Sequence, residues 1–345
     1  SDFPSLTATL PNRGGFNSEV ECKVVLLPTE QFIVKSIGAK RGGFLLSDAV
    51  ELAKDILIYQ KQLESVDIPI PPITKIDVRY DVYSEKAVIY VSSPWAGDDV
   101  EKIITSLNPI RDGEKIDWLI KKMCRMLARV CAYRRHNGAL SVGIDAKASN
   151  FAVAYSADGR RIMSYVDQFP PRYWKNNAPI IEWTPLTTQL GNELGRFKYF
   201  DWRGLLLTLT SQLSRIKPVL KEMIETIALN EFAKCIEASE YNEFIAEFSM
   251  LPWIEMRYFL QEGNREGIER IIEECIDTIV FGARYSVYTL REIALEFAFR
   301  QIISPDGLEH LFHMTHFEDE EFSSDRWTNV QHYLRECVKN SRIMR

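Results

Sequence analysis

The chain contains no uninterrupted apolar run of the roughly 18 to 20 residues that a membrane helix requires, and its N-terminus lacks the basic-then-apolar pattern of a secretory leader. Neither a membrane span nor export is expected. Its six cysteines, Cys22, Cys124, Cys131, Cys235, Cys275 and Cys337, include no C-x-x-C pair. That spacing excludes a zinc ribbon or a dense disulfide framework and reads as the reduced thiols of a cytoplasmic protein. A basic excess is missing as well. With 42 Lys and Arg against 48 Asp and Glu, the net charge is -6, so the chain as a whole offers no attraction to a phosphate backbone, and nucleic acid is not an expected partner. Internal repeats and low-complexity linkers are also absent. What remains, 46% hydrophobic and 26% charged residues over 345 positions, is globular in composition and longer than the usual single domain, so two domains or lobes are expected.

Residues 1–93 read as strands with one helix inserted. "SLTATL" and "ECKVVLLP" flank the loop "PNRGGFNSEV", and "FIVKSI" follows, short and β-branched. "LSDAVELAKDILIYQKQL" then carries Val50, Ala53 and Leu57 at helical spacing behind a candidate cap at Ser47, and "DIPIPPI" stops it. "KIDVRYDVY" and "KAVIYVSS" alternate like an antiparallel pair, closing a small sheet of about five strands. The Pro- and Gly-containing "SPWAGDD" ends strand character, which places the lobe boundary between residues 93 and 94. In 94–345, "IDWLIKKMCRMLARVCAYRRHNG" reads as a helix ending at His136, Asn137 and Gly138. From Trp183 onward the pattern is helical, with breaks near Gly191, Pro218, Pro252, Gly263, Gly282 and Pro305.

Between these helical stretches lies "SVGIDAKASNFAVAYSADGRRIMSYVDQFPPRY". "NFAVAYS" and "RRIMSYV" alternate, and "ADG" supplies a turn at Asp158-Gly159, so a β-hairpin is expected whose ends bring Asn150 and Asp167 to one edge. An amide oxygen beside a carboxylate suits magnesium, which takes oxygen ligands, water and nucleotide phosphates. Asp145, on the loop leading in, is placed to accept or orient the proton of an attacking hydroxyl, and Lys147 to neutralise a phosphoryl group in transfer.

The arrangement Asp145-Ala-Lys147-Ala-Ser-Asn150-Phe, a hairpin, then Tyr165-Val-Asp167 resembles the catalytic loop and metal-binding aspartate of the protein-kinase-like superfamily, in particular its aminoglycoside phosphotransferase and choline kinase branch. The resemblance runs from about Gly14 to Arg172. It implies an α+β, bilobal protein-kinase-like fold. A small antiparallel β-sheet N-lobe with one helix would cover 1–93, and a large, mainly α-helical C-lobe 94–345. It implies Asp145 as catalytic base, Lys147 facing phosphate, and Asn150 and Asp167 as ligands of Mg2+. ATP or GTP would be the phosphate donor, and the partner a small-molecule acceptor bearing a hydroxyl. Lys35 in "FIVKS" matches the lysine that contacts nucleotide phosphates, and Gly14 and Gly15 match a glycine loop covering them. Asp55 or Glu51 would be the acid that pairs with Lys35, with Asp55 favoured by spacing, and Val91, Ser92 and Ser93 before Pro94 would form the hinge that holds the base. "VDIPIPPI" resembles the segment that follows this helix in small-molecule kinases.

The sequence departs from the family at three places. Gly143 and Ile144 stand where a histidine precedes the catalytic aspartate, Gln168-Phe169-Pro170-Pro171 follows Asp167, and Gly14-Gly15 is thinner than a full glycine loop. Two successive prolines stiffen the chain, which argues against a mobile activation switch, and with no Ala-Pro-Glu-type anchor visible after Asp167 a protein substrate is the weaker alternative. The same departures keep open a pseudokinase that binds nucleotide as a scaffold or sensor. The other chemically loaded run is "HLFHMTHFEDEE". Two steps of three carry His310, His313 and His316 around a helix, and a helix end with an acidic tail is preferred to a metal site.

Overall fold

The computed structural model describes residues 7–8, 20–26, 31–156, 158–180, 189–248, 256, 259–260, 262–280, 286–315 and 324–341. By internal contacts the chain divides into one unit of residues 1–102 and 149–180 and another of residues 103–148 and 181–345. The hairpin is thereby grouped with the N-terminal sheet, whereas the sequence boundary at 93/94 places it in the helical part. The chain is α+β, with strands and one inserted helix first and mainly helices after.

In the first unit, β1 (Thr7–Ala8), β2 (Val20–Leu26), β3 (Gln31–Ile37), β4 (Lys75–Asp81) and β5 (Lys86–Pro94) form an antiparallel sheet in the order β1-β2-β3-β5-β4. The central strand β5 alternates strictly, burying Ala87, Ile89, Val91 and Ser93, as a strand with one face on a core must. Helix α1 (Leu46–Ser65) sits between β3 and β4 in sequence. It buries Ala49, Ala53, Ile56, Tyr59 and Leu63 at steps of three and four. Ala49, Ala53 and Ile56 meet Ile37, Ala87, Ile89, Val91 and Phe169 in one apolar cluster. Ser47 is not the cap. The helix starts one residue earlier, Leu45 holds the cap position without a side-chain bond, and the Ser47 hydroxyl turns to Asp48 Oδ1 at 3.2 Å. Asp48 in the first turn supplies negative charge to the helix N-terminus instead.

A second sheet, in the order β6-β7-β8, joins β6 (Asp98–Asp99) to the expected hairpin of β7 (Phe151–Tyr155) and β8 (Arg161–Tyr165). Gly97, before β6, has φ +103, and a Cβ there would lie 2.0 Å from the Val153 carbonyl oxygen. Only glycine admits that approach. A short hairpin follows, of β9 (Trp174–Lys175) and β10 (Ala178–Pro179). Its turn residues Asn176 and Asn177 both have positive φ, 52 and 62, the left-handed pair that tight hairpins favour.

Helix α2 (Val100–Ser106) runs from the first unit into the second. The second unit continues with α3 (Gly113–Val130), α4 (Gln189–Phe200), α5 (Trp202–Ile216), α6 (Lys221–Phe232), α7 (Ala238–Phe248), α8 (Arg265–Val280), α9 (Ser286–Phe299), α10 (Pro305–Met314) and α11 (Ser324–Asn340). Helix α3 stops at Val130, short of the expected His136–Gly138 end. Arg134 and Leu140 form an antiparallel bridge across a turn in which Gly138 has φ +78, with Arg135 N–H donating to Ala139 O at 2.8 Å. The backbone groups that would continue the helix are used in that turn. Helix α5 is buried all round, from Trp202 to Ser214 apart from Arg203, as a central helix of an all-helical layer is. Asp201 caps it by accepting from Arg203 N–H at 2.9 Å. Pro218 separates α5 from α6, and Ser304 with Pro305 opens α10. Among the described residues no helix is long and apolar enough to cross a membrane.

Candidate functional site

The hairpin closes at Ser156–Arg160. Ser156 N–H donates to Arg160 O at 2.8 Å, Gly159 takes φ +78, and Asp158 accepts from the Ser156 hydroxyl and from Arg160 Nε. Arg160, then Ser156, hold the Asp158 carboxyl down at about 2. With the turn pinned, Phe151 pairs with Tyr165, and the ladder extends one step further through Val166 N–H to Asn150 O at 2.8 Å. Asn150 and Asp167 therefore stand at adjacent strand ends, with Asn150 Nδ2 3.4 Å from Asp167 Oδ2. The sequence pattern anticipated this juxtaposition.

Lys35 reaches the same place from β3, its ammonium donating to the carbonyl oxygen of Val166 at 2.6 Å. A lysine from one strand thus touches the residue next to an aspartate more than a hundred positions later. Asp167 Oδ2 also receives Arg172 Nη1 at 2.9 Å, and Arg172, only 5% exposed, donates further to Pro170 O at 3.3 Å. The fully buried Tyr59 of α1 hydrogen-bonds Tyr165 and Arg172. Burial raises its hydroxyl well above the ordinary tyrosine range, against the pull of the Arg172 charge.

The helix acids do not pair with Lys35. Lys175, the last residue of β9, lies 2.7 Å from Glu51 Oε1 and 3.0 Å from Asp55 Oδ1, and the Tyr173 hydroxyl donates to Asp55 Oδ1 at 2.7 Å. Burial, then the Asp55 hydrogen bond, push the Tyr173 hydroxyl up to about 12. Sequence reasoning did not single out Arg172, Tyr173 or Lys175. The Asn176-Asn177 pair, a tight-turn signal, marks the hairpin that presents Lys175.

In the second unit, the loop before the hairpin is tied down from several sides. Leu140 N–H donates to Phe200 O at 2.8 Å and Ile144 N–H to Tyr199 O at 3.0 Å, both at the end of α4. Asp145 is 4% exposed, and Lys147 folds back so that its Nζ lies 2.8 Å from Asp145 Oδ2 while its N–H donates to Asp145 O at 2.8 Å. Next along, Ala148 N–H donates to the side-chain oxygen of Gln212 on α5 at 2.5 Å. Gln212, 4% exposed, is a second residue that sequence reasoning missed. Nothing in a buried helix marks one glutamine as the partner of a distant loop.

Val91, Ser92 and Ser93 fall within β5, paired on one side with Lys35, Val34 and Ile33 of β3. Ser92 O accepts from both Thr74 N–H at 2.8 Å and Thr74 Oγ1 at 3.0 Å, so this carbonyl is occupied within the sheet. Gly14 and Gly15 lie outside the described residues, as does His316. His310 and His313 lie on α10, and among the described residues no group of three or more His, Cys, Asp and Glu could hold a metal. Asn150 and Asp167 offer one amide and one carboxylate, a donor set that fits magnesium when phosphates and water complete it.

No family model matches the chain, and no curated protein matches it by sequence. Among solved structures, the chain is similar to the one titled "WaaP in complex with acyl carrier protein", with 12% identity and a TM-score of 0.40 over 70% of this chain and 85% of that one.

Proposed function

We propose that the chain is an ATP- or GTP-dependent phosphotransferase of the aminoglycoside phosphotransferase-like kind, transferring the γ-phosphoryl group to a hydroxyl of a small molecule. Residues 1–93 would serve as the nucleotide-binding N-lobe and 94–345 as the C-lobe that selects the acceptor. The observation that carries the reading is the convergence of Lys35 on β3 with Asn150 and Asp167 at the two ends of one hairpin.

Asn150 and Asp167 would hold magnesium through side-chain oxygens, and the ion, when bound, supplies positive charge to the phosphates. The chain's own residues do the rest by position and charge. Lys35 carries its ammonium to the strand end beside Asp167, where it can meet phosphate oxygens. Asp145 takes the proton of the acceptor hydroxyl as the new O–P bond forms and the bond to the departing nucleoside diphosphate breaks. Lys147, already on Asp145, holds that carboxylate in place and brings positive charge to the group in transfer. A screen of sugars, amino sugars, nucleosides and amino alcohols as acceptors, with mass-spectrometric detection of the added phosphate, tests the reading. No product with either nucleotide would count against it.

One observation favours a second reading, a nucleotide-binding scaffold without turnover. Asp167, Asp145 and Asp55 are each already paired with a cation of the chain, Arg172, Lys147 and Lys175 respectively. Magnesium-dependent nucleotide protection against thermal unfolding, without transfer across the same panel, would select it.

A further inference from the structure

We propose that Arg172 is the resident counter-cation of Asp167, so that Asp167 takes up a divalent ion only in exchange for the guanidinium. This rests on the reading of Asp167 as a magnesium ligand and adds a residue that the family motif does not supply.

Two donors converge on one oxygen. Arg172 Nη1 lies 2.9 Å from Asp167 Oδ2, and Asn150 Nδ2 lies 3.4 Å from the same atom. A divalent ion on Oδ2 would share that atom with a buried, permanently charged guanidinium, and two cations at such separation in a weakly polar setting repel strongly. Asn150 donates through its amide nitrogen to Asp167 at 3.4 Å. Coordination of a metal needs its oxygen. Both neighbours thus do for Asp167 what a bound cation would do.

The local chain makes this arrangement durable. Arg172 follows Pro170-Pro171, whose rings restrict the backbone between it and Asp167, and it is held a second time by Pro170 O at 3.3 Å. Tyr59 lies against it, neutral because burial keeps its hydroxyl protonated. When the guanidinium leaves Asp167 it needs another anionic partner, and a phosphate oxygen pair matches its fork. Uptake of the ion is therefore favoured by bound nucleotide and opposed in its absence.

The test is Mn2+ binding followed by electron paramagnetic resonance, which reads the ion directly and requires no turnover, on the full chain without nucleotide. Arg172→Gln should bind Mn2+ more tightly than the unaltered chain, on the order of tenfold or more, and Asp167→Asn should abolish binding. If Arg172→Gln binds no more tightly while Asp167→Asn still abolishes binding, the exchange is wrong and the ligand role of Asp167 stands. If Asp167→Asn leaves Mn2+ affinity unchanged, both fall. Should Arg172→Gln not fold, the side-chain nitrogen resonances of Arg172 in the unaltered chain, assigned with Arg172→Lys, provide the second readout. They should shift when magnesium and a non-hydrolysable nucleotide are added together, and unchanged resonances at saturation overturn the exchange.

Discussion

Replacing Gln212 by leucine removes the acceptor of the Ala148 N–H without much change in side-chain volume. Both residues are buried, Ala148 completely, so no water replaces the lost oxygen. An amide left unsatisfied in such a place costs about 1–3 kcal/mol. For a cooperative unit the size of the helical one, each kcal/mol lowers the melting temperature by about 2–4 °C. The loss should also be local in its second effect. Ala148 directly follows Lys147, so amide hydrogen exchange in the peptide covering 145–150 should quicken more than in α5 itself. Ser211→Ala is the control. Its neighbouring, equally buried hydroxyl bonds within its own helix, to Thr208 O at 3.1 Å, and its removal should leave exchange at 145–150 unchanged. Thermal unfolding and peptide-resolved exchange on the two variants decide the matter. If Gln212→Leu and Ser211→Ala behave alike in both, Gln212 does not clamp the loop and the argument is wrong.

Asp145→Ala should remove phosphoryl transfer while nucleotide affinity, measured by calorimetry, stays within a few-fold; full activity in this variant would refute the assignment of the base. Gly204→Ala should destabilise the helical unit by about 3 kcal/mol or more, since its Cβ would lie 1.9 Å from Phe197 O, and an unchanged urea midpoint would contradict that packing. Alkaline stability should depend on Tyr173. Its folded-state pKa of about 12 lies above the ordinary value near 10, roughly that of the unfolded chain, so the folded state holds the proton more tightly. The stabilisation is present below about pH 10 and is lost as pH rises towards 12. Tyr173→Phe should flatten that part of the stability profile relative to the unaltered chain, and identical profiles would exclude the effect.

Much of the first unit could be read from sequence because its signals are local. Alternation with an Asp-Gly turn specified the Phe151–Tyr165 hairpin, and with it the meeting of Asn150 and Asp167. A proline cluster ended α1, and the β4–β5 pair followed from its own alternation. Signals failed where a distant partner decides. The helix pattern through Cys131–Gly138 was overruled by a bridge from Arg134 to Leu140. Spacing along α1 nominated Asp55 and Glu51 but could not say which cation they meet, and a two-residue strand is too short to show periodicity, so Lys175 left no pattern of its own. Arg172 and Gln212 were invisible for a related reason: a single polar side chain acquires meaning only when the fold buries it beside its partner.

The grouping of residues 149–180 with residues 1–102 makes the sheet-bearing unit discontinuous in sequence, and this bears on how the protein can be cut and made. A fragment ending at Lys102 would carry Lys35 without the Val166 carbonyl, Asp55 without Lys175, and β6 without β7. Expression of the N-terminal portion alone therefore leaves out contacts that complete this unit. On the ribosome, the early strands must wait for the later hairpin to emerge before that unit can close.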